Sequence, residues 1–503
     1  MTRTDDSPPR RLAELLTDAP GVPAHLEVTD LTVASGEVRP GGAFLACAGR
    51  TTHGLAHASE AIERGARAIL WEPVPGLHLP EFPSRIFALP VPRLRAQLGA
   101  IADRFFHAPS AALTLVGVTG TNGKTTTAWL TAQALAACGR RASYSGTLGY
   151  GIPGDLHRTS HTTPDAISVH RQLAVLRAAG TDCVAMEVSS HALDQGRVTG
   201  VRFHTAVFTN LTRDHLDYHG TMTAYGSAKA TLFDWPTLAA RVINIDDPFG
   251  AELAQRHRGA TAHLATVSRR SPASVRATAT RAAPRGLELD VESKWGAGTL
   301  ATRLVGDFNA DNALAVLAVL LACDIPLAAA LRALGACAAP PGRMESFGGE
   351  QGAPLAIVDY AHTPDALEKA LAAARAHCSG RLSVVFGCGG DRDPGKRPIM
   401  GAIASRRADR IWITDDNPRT EPAALITAAI ADGVAPGHDF HVEHDRTTAI
   451  CSALNEARAG DAVLIAGKGH EDYQIVGHER RPFSDQAIVR TALGSRAAPG
   501  NRA

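Results

Sequence analysis

At 503 residues the chain is long enough for about three domains, each able to bury its own core, and a single domain is not expected. Its 51 basic and 50 acidic residues leave a formal net charge of +1, so no global field draws in nucleic acid or an anionic membrane, and local charge must do the recognising. The eight cysteines form no C-x-x-C pair and mostly sit in apolar runs, which predicts buried thiols in a reducing, cytoplasmic setting.

Residues 1–106 alternate short apolar strands at 43–47, 68–71 and 85–89 with helical stretches such as 56–64, which predicts a small N-terminal α/β domain. The start, MTRTDDSPPRR, lacks the apolar core of a signal peptide, and the longest apolar run, 313–323, is too short to span a bilayer. A soluble chain is expected. Residues 107–339 read as a larger central α/β domain, with strands at 183–188, 205–209 and 241–245 and a mostly parallel, doubly wound sheet. Within it, residues 261–305 are richer in Thr, Val and Gly and predict attached antiparallel strands without readable chemistry. Pro340-Pro341-Gly342 is a strong breaker and predicts a hinge. The third domain, 340–503, alternates strands at 356–358, 382–386, 410–414 and 462–466 with helices, as a Rossmann-like sheet does, and its polar tail from residue 495 is expected to be without structure.

The central domain opens on GVTGTNGKTTT, residues 117–127, set between an apolar run at 113–116 and a helical stretch at 128–138. Strand, glycine loop and helix in that order suit a polyphosphate: the backbone N–H groups of Gly117, Val118, Thr119, Gly120, Thr121, Asn122 and Gly123 wrap the phosphates. Lys124 reaches the outer ones, and the hydroxyl of Thr125 or Thr126 holds Mg²⁺. The usual pattern requires glycine at position 118, where valine stands, so the working core is the shorter run from Gly120 to Thr125. This shorter loop resembles that of the Mur ligases and folylpolyglutamate synthetases.

Three polar groups follow the central strands: Glu187 to His191, Asn210 to His215, and Asn244 to Asp247. In an open α/β sheet they share the carboxyl end of the strands with the glycine loop, so they are expected to face the triphosphate. Glu187 and His215 offer a metal a hard oxygen and an imidazole, and Asn244 and Asp246 suit a nucleotide. Only six residues are lysine, at 124, 229, 294, 369, 396 and 468, and four of them lie in glycine-rich or motif-rich stretches. In a chain that otherwise uses arginine, such a lysine is expected to be needed as a lysine.

TTPD at 162–165, MEVSSHALDQGRV at 186–198, FTNLTRDHLDYHG at 208–220 and GDFNADN at 306–312 resemble the Mur ligases. PGRME at 341–345, DYAHTPDAL at 359–367, GCGGDRDPGKRP at 387–398, DDNPRTE at 415–421 and GKGHEDYQ at 467–474 extend the resemblance over nearly the whole chain. It implies domains for a UDP-sugar, for ATP and for an incoming amino acid, and an ATP-dependent amide ligase of peptidoglycan precursor synthesis. Its small-molecule substrates are ATP, UDP-N-acetylmuramoyl-dipeptide and, from the last three motifs, meso-diaminopimelate. A monomer is expected.

By the same resemblance, Lys124, Glu187, His215 and Lys229 are catalytic, and Mg²⁺ is held by Thr125, Glu187, His215 and a carbamylated Lys229. Asn309, Arg343, Asp359 and His362 join the ATP site, Arg343 being swung onto the phosphates by domain closure. UDP-sugar contacts fall on Val33, Ser35, Arg50, Thr51, Thr52, His161, Thr162, Thr163, Ser189, Gln195 and Arg197. Diaminopimelate contacts fall on Arg392, Asp416, Asn417, Pro418, Arg419, Gly467 and Glu471. The family's Asp-Ser-Arg appears here as Ala34-Ser35-Gly36 and its Asp-Gly-His as Thr52-His53-Gly54, so Ser35 stands without charged neighbours. Two alternatives stay open: a relative that adds lysine or polymerises glutamate, and a nucleotide-gated sensor without turnover.

Overall fold

The computed structural model describes residues 8–17, 20–49, 52–159, 161–283, 286–350 and 352–497; Arg50 and Thr51 lie outside the described residues. The chain packs as two compact units. One holds the described residues up to Lys124 with Gly139–Ile243 and Glu252–Leu264; the other holds Thr125–Cys138, Asn244–Ala251 and the chain from Ala265 onward.

In the first unit a short antiparallel pair, β1 (Arg10–Arg11) with β2 (Glu27–Val28), precedes a parallel sheet. That sheet runs β3 (Leu31–Thr32), β4 (Ala43–Ala46), β5 (Ala68–Trp71), β6 (Phe87–Pro90) in sequence order. Both faces are covered, so alternate residues of one strand enter different cores. Ala43 and Leu45 pack with Leu94, Ile101 and Phe105 of the helix Leu94–Phe105, whereas Phe44 and Ala46 pack with Leu55, Ala58 and Ala61.

The first unit's larger sheet contains β7 (Thr114–Thr119), β8 (Ala142–Gly146), β9 (Gly149–Ile152), β10 (Asp155–His157), β11 (Cys183–Glu187), β12 (Thr205–Phe208) and β13 (Ala240–Asn244). Their order is β10-β9-β8-β11-β7-β12-β13, with β8, β11, β7, β12 and β13 parallel and β9 and β10 turned back as antiparallel edge strands. The chain leaves β7 toward β8, returns to β11, and only then crosses to β12 on the other side. Such a reversal opens a crevice at the carboxyl end of the first strand, and that is where the glycine loop begins.

In the second unit β14 (His263–Ser268) pairs in parallel with β15 (Val275–Ala283), and β15, β16 (Gly286–Ser293) and β17 (Gly296–Thr302) form the expected antiparallel meander. A six-stranded sheet follows, made of β18 (Glu345–Gly348), β19 (Leu355–Asp359), β20 (Leu382–Phe386), β21 (Arg410–Ile413), β22 (Phe440–Val442) and β23 (Ala462–Ala466). Its order is β18-β19-β23-β20-β21-β22, parallel except for β18, with separate apolar cores on its two faces. A hairpin of β24 (Tyr473–Val476) and β25 (Glu479–Pro482) precedes the last helix, Asp485–Ala497. That helix carries structure through Ala497, into a tail expected to have none; residues 498–503 lie outside the described residues.

All eight cysteines are free thiols, and burial pushes Cys47 and Cys337 up to about 12. Among the described residues no helix is long and apolar enough to cross a membrane.

Candidate active site

Gly117 and Val118, expected to touch phosphate, lie inside β7, where their backbone groups belong to the sheet, so the loop proper starts at Gly120. Gly120 has φ of 150°, and a Cβ there would collide with the Thr209 hydroxyl. No other residue type fits. The segment after β12 clamps the loop: Thr121 N donates to Asn210 O (2.8 Å), Asn122 N to Asn210 Oδ1 (2.9 Å), and Thr209 Oγ1 to Asn122 O (2.6 Å). Thr125 and Thr126 open the helix Lys124–Ala137; Thr126 is buried, which leaves Thr125 the better placed hydroxyl.

Lys124 Nζ folds back onto Gly120 O (2.8 Å) and Thr121 O (2.9 Å), and Lys229 Nζ donates to the same Gly120 O at 2.9 Å. Lys229 lies on the helix Met222–Ala230, where a lone lysine is ordinarily solvated, yet it is only 1% exposed. Burial, and then the neighbouring Lys124, push its ammonium down from 10.5 to about 6, so near neutral pH it stands as a free amine. A neutral amine is the form that reacts with CO₂, which an arginine in this place does not offer.

Glu187, 1% exposed at the end of β11, accepts hydrogen bonds from the Tyr144 hydroxyl and from Thr147 N (2.9 Å). His215 is half-exposed and left-handed, with φ of 52°, just before the short helix Leu216–His219, and its ring meets that of His191 edge-on at 4.9 Å. Among the described residues no three His, Cys, Asp or Glu side chains are grouped to hold a metal. Glu187 and His215, expected as metal ligands, are not part of such a group.

Next to Glu187 lies a polar chain. Thr163 Oγ1 donates to Glu187 O (2.8 Å), Arg197 Nη1 to Thr163 O (2.8 Å), and Arg197 Nη2 to Gln195 Oε1 (2.7 Å), while Gln195 Nε2 donates to Tyr218 OH (3.0 Å). Thr162 Oγ1 joins through Thr147 Oγ1 at 2.9 Å, and Ser189 caps the helix Ser190–Asp194. Of the expected UDP-sugar residues, this chain unites Thr162, Thr163, Gln195 and Arg197, with Ser189 N bonded to Thr163 Oγ1 at 3.2 Å. Ser35 is elsewhere in the small sheet's surroundings and donates to Glu60 (2.6 Å), with Val33 packed on that core; Thr52 and His161 are exposed.

In the second unit Asn309 is buried with both ends of its amide engaged, on Val305 O (2.8 Å) and Asn312 Nδ2 (2.9 Å). Asp246 accepts from Ser268 Oγ and Arg269 N, so it ties the turn after β13 to the end of β14. Asp359, raised by burial, accepts from Met344 N (2.8 Å) and Ala361 N (2.9 Å); Arg343 stacks on Tyr360 at 4.9 Å, and His362 receives Lys396 on its carbonyl at 2.8 Å.

At the carboxyl ends of β20, β21 and β23 the expected amino-acid residues come together. Asn417 Nδ2 donates to Glu471 Oε2 (3.0 Å), Gln474 Nε2 to Asp416 O (2.9 Å), and Arg419 Nη1 to Gly390 O (2.8 Å). A Cβ on Gly389 would lie 2.9 Å from Arg419 Nη1 and 3.7 Å from Arg392 Cγ, so the glycine leaves room beneath the Arg419 guanidinium and beside the stem of Arg392. Pro418 is not alone in fixing Arg419. The arginine sits at φ 53° because the hairpin strand holds it, Arg419 N to Ile475 O (3.1 Å) and Gly477 N to Arg419 O (2.7 Å). Sequence alone assigns no role to Tyr144, Thr209 or Lys468, although Thr209 and Lys468 lie in FTNLTRDHLDYHG and GKGHEDYQ.

Two family models match: the Mur ligase middle domain over residues 118–320, and the Mur ligase, glutamate ligase domain over residues 342–469. The chain is 47% identical over 487 residues to a UDP-N-acetylmuramoyl-L-alanyl-D-glutamate 2,6-diaminopimelate ligase of Ectopseudomonas mendocina, covering 97% of this chain and 99% of that one. It is 48% identical to the protein of the same name from Pseudomonas aeruginosa, over 95% and 98% of the two chains. A solved structure, also of a UDP-N-acetylmuramoyl-L-alanyl-D-glutamate 2,6-diaminopimelate ligase, matches with a TM-score of 0.74 at 34% identity, over 98% of this chain and all of that one. With its glycine loop, its mostly parallel α/β sheets and relatives of this identity along nearly its whole length, the chain belongs to the Mur ligase family.

Proposed function

We propose that this protein is the ATP-dependent ligase that joins meso-diaminopimelate to the γ-carboxylate of D-glutamate in UDP-N-acetylmuramoyl-L-alanyl-D-glutamate. The observation that carries the choice of amino acid is the loop from Asp416 to Arg419. Meso-diaminopimelate differs from lysine by a carboxylate beside its far ammonium. The Arg419 and Arg392 side chains over Gly389 suit that carboxylate, and Glu471, held by Asn417, suits the ammonium.

The reaction runs in two steps: the γ-carboxylate takes the terminal phosphoryl group of ATP to give an acyl phosphate and ADP, and the amine then attacks that carbonyl and expels phosphate. Negative charge builds on transferring oxygens in both steps, so most of the catalysis is placement of positive charge. Lys124 supplies one such charge beside the glycine loop. When bound, Mg²⁺ neutralises phosphate oxygens, and Glu187, His215, Thr125 and a carbamylated Lys229 would hold it. Arg197, fixed by Gln195 and Thr163, is the cation for the UDP-sugar side, and Arg343, Asp359 and His362 serve the nucleotide. The eight free thiols support a cytoplasmic setting. Mass spectrometry of the product from ATP, UDP-muramoyl-dipeptide and meso-diaminopimelate tests the reading: a tripeptide product is expected, and a product only with lysine, or ADP release with no product, overturns it.

A further inference from the structure

Lys468 follows β23 and is completely buried, 0% exposed. Its Nζ donates to Asn417 Oδ1 (3.0 Å) and Glu471 Oε2 (3.2 Å) and lies 3.8 Å from Asp416 Oδ1, while the rings of Tyr473 and Phe483 stand 5.7 and 5.9 Å away. A buried ion pair is seldom the most stable way to fill such a space, since an apolar side chain fills it without desolvating a charge. The contacts it makes are therefore the reason to look for a role.

Those contacts fix the two groups that receive the substrate. Asn417 Oδ1 accepts from Lys468 and also from Ile475 N (2.9 Å), so the amide has one orientation, and its Nδ2 is aimed at Glu471 Oε2. The opposite orientation would set an NH₂ group against an ammonium and a backbone N–H. Glu471 Oε2 thus holds two donors at once. The adjacent buried Arg446 is bonded to Asp485 through Nε and Nη2, both at 2.8 Å, and to Ala466 O (3.0 Å), whereas Lys468 is bonded to the side chains of Asn417 and Glu471.

We propose that Lys468 is a positioning residue that sets the selectivity of the amino-acid site: it holds Asn417 and Glu471 in place and offsets one of the two carboxylate charges of Asp416 and Glu471. The inference rests on the reading of this site as a diaminopimelate pocket. The far end of diaminopimelate is a zwitterion, and the far end of lysine is a bare cation. Two uncompensated carboxylates in a low-dielectric pocket favour the bare cation, whereas one, set beside the guanidinium of Arg419, favours the zwitterion.

The test is steady-state kinetics of the full-length enzyme with meso-diaminopimelate and L-lysine, for wild type, Lys468→Met, Glu471→Gln and the double variant. Lys468→Met is expected to raise KM for diaminopimelate about thirtyfold and to lower the diaminopimelate-to-lysine ratio of kcat/KM by about tenfold or more, with KM for ATP and the UDP-dipeptide little changed. Because Lys468 acts through Glu471, adding Lys468→Met to Glu471→Gln should cost little further, and this pair removes the carboxylate bonded to Lys468 if the single variant folds poorly. A folded variant that keeps the wild-type ratio, a parallel rise in all three KM values, or losses that multiply in the double variant overturns the role of Lys468. A wild type that uses lysine and not diaminopimelate overturns instead the reading of the pocket.

Discussion

Lys229 and Lys468 are both buried lysines, one in each unit, and their surroundings differ in kind. Lys229 shares the Gly120 carbonyl with Lys124, and burial and then that neighbouring charge drive its ammonium down to about 6. Lys468 is bonded to an amide and a carboxylate, with a second carboxylate 3.8 Å away. Burial alone does not decide what a lysine does. Beside another cation it becomes a nucleophilic amine, and among acids it becomes a brace whose charge sets the field of a pocket.

The comparison is sharpened most by Lys124, the charge that presses on Lys229. Lys124→Ala should cut kcat about a thousandfold, as loss of a charged transition-state donor does, while calorimetric affinity for the UDP-dipeptide stays nearly intact. Equal loss of both would count against a phosphate-transfer role. Lys229→Ala should cost roughly several hundredfold in turnover, and Lys229→Arg should not restore it, because a guanidinium does not lose a proton to attack CO₂. Near-normal activity of Lys229→Arg would end the carbamate assignment.

On the amino-acid side, Arg419→Ala removes two charge-assisted hydrogen bonds worth roughly 3 kcal/mol, so kcat/KM for diaminopimelate should fall about a hundredfold and that for lysine far less. A variant with full discrimination would break the pocket half of the comparison.

The smallest effect is thermal. The Lys229 amine titrates at about 6 in the fold against 10.5 when free, so between those values the unfolded chain binds more protons, and stability rises with pH and is lost as pH falls toward 6. In CO₂-free buffer Lys229→Met should therefore melt above wild type near neutral pH, by less than the roughly 2–4 °C per kcal/mol of a 150–250-residue domain, with the gap narrowing as pH rises. A gap independent of pH would mean that the amine is charged in the fold.

The sequence by itself determined the strand, loop and helix around Lys124 and the α/β class with its mostly parallel sheets. These are local: apolar runs of strand length, glycine where φ is positive, and polar residues just past strand ends all follow from near neighbours. The tertiary structure alone decided what those residues touch. A lysine on a short helix reads as solvated until the helix is seen packed on the glycine loop, 109 positions earlier in the chain. Asn309 and Asp246 read from sequence as nucleotide contacts, and only the structure shows the hydrogen bonds that hold their side chains, to Val305 O and to Ser268 and Arg269. Lys468 and Asn417, 51 residues apart, meet only because β21 and β23 end at the same edge of one parallel sheet. The charge state of a buried amine is set by such distant partners, and no window of sequence contains them.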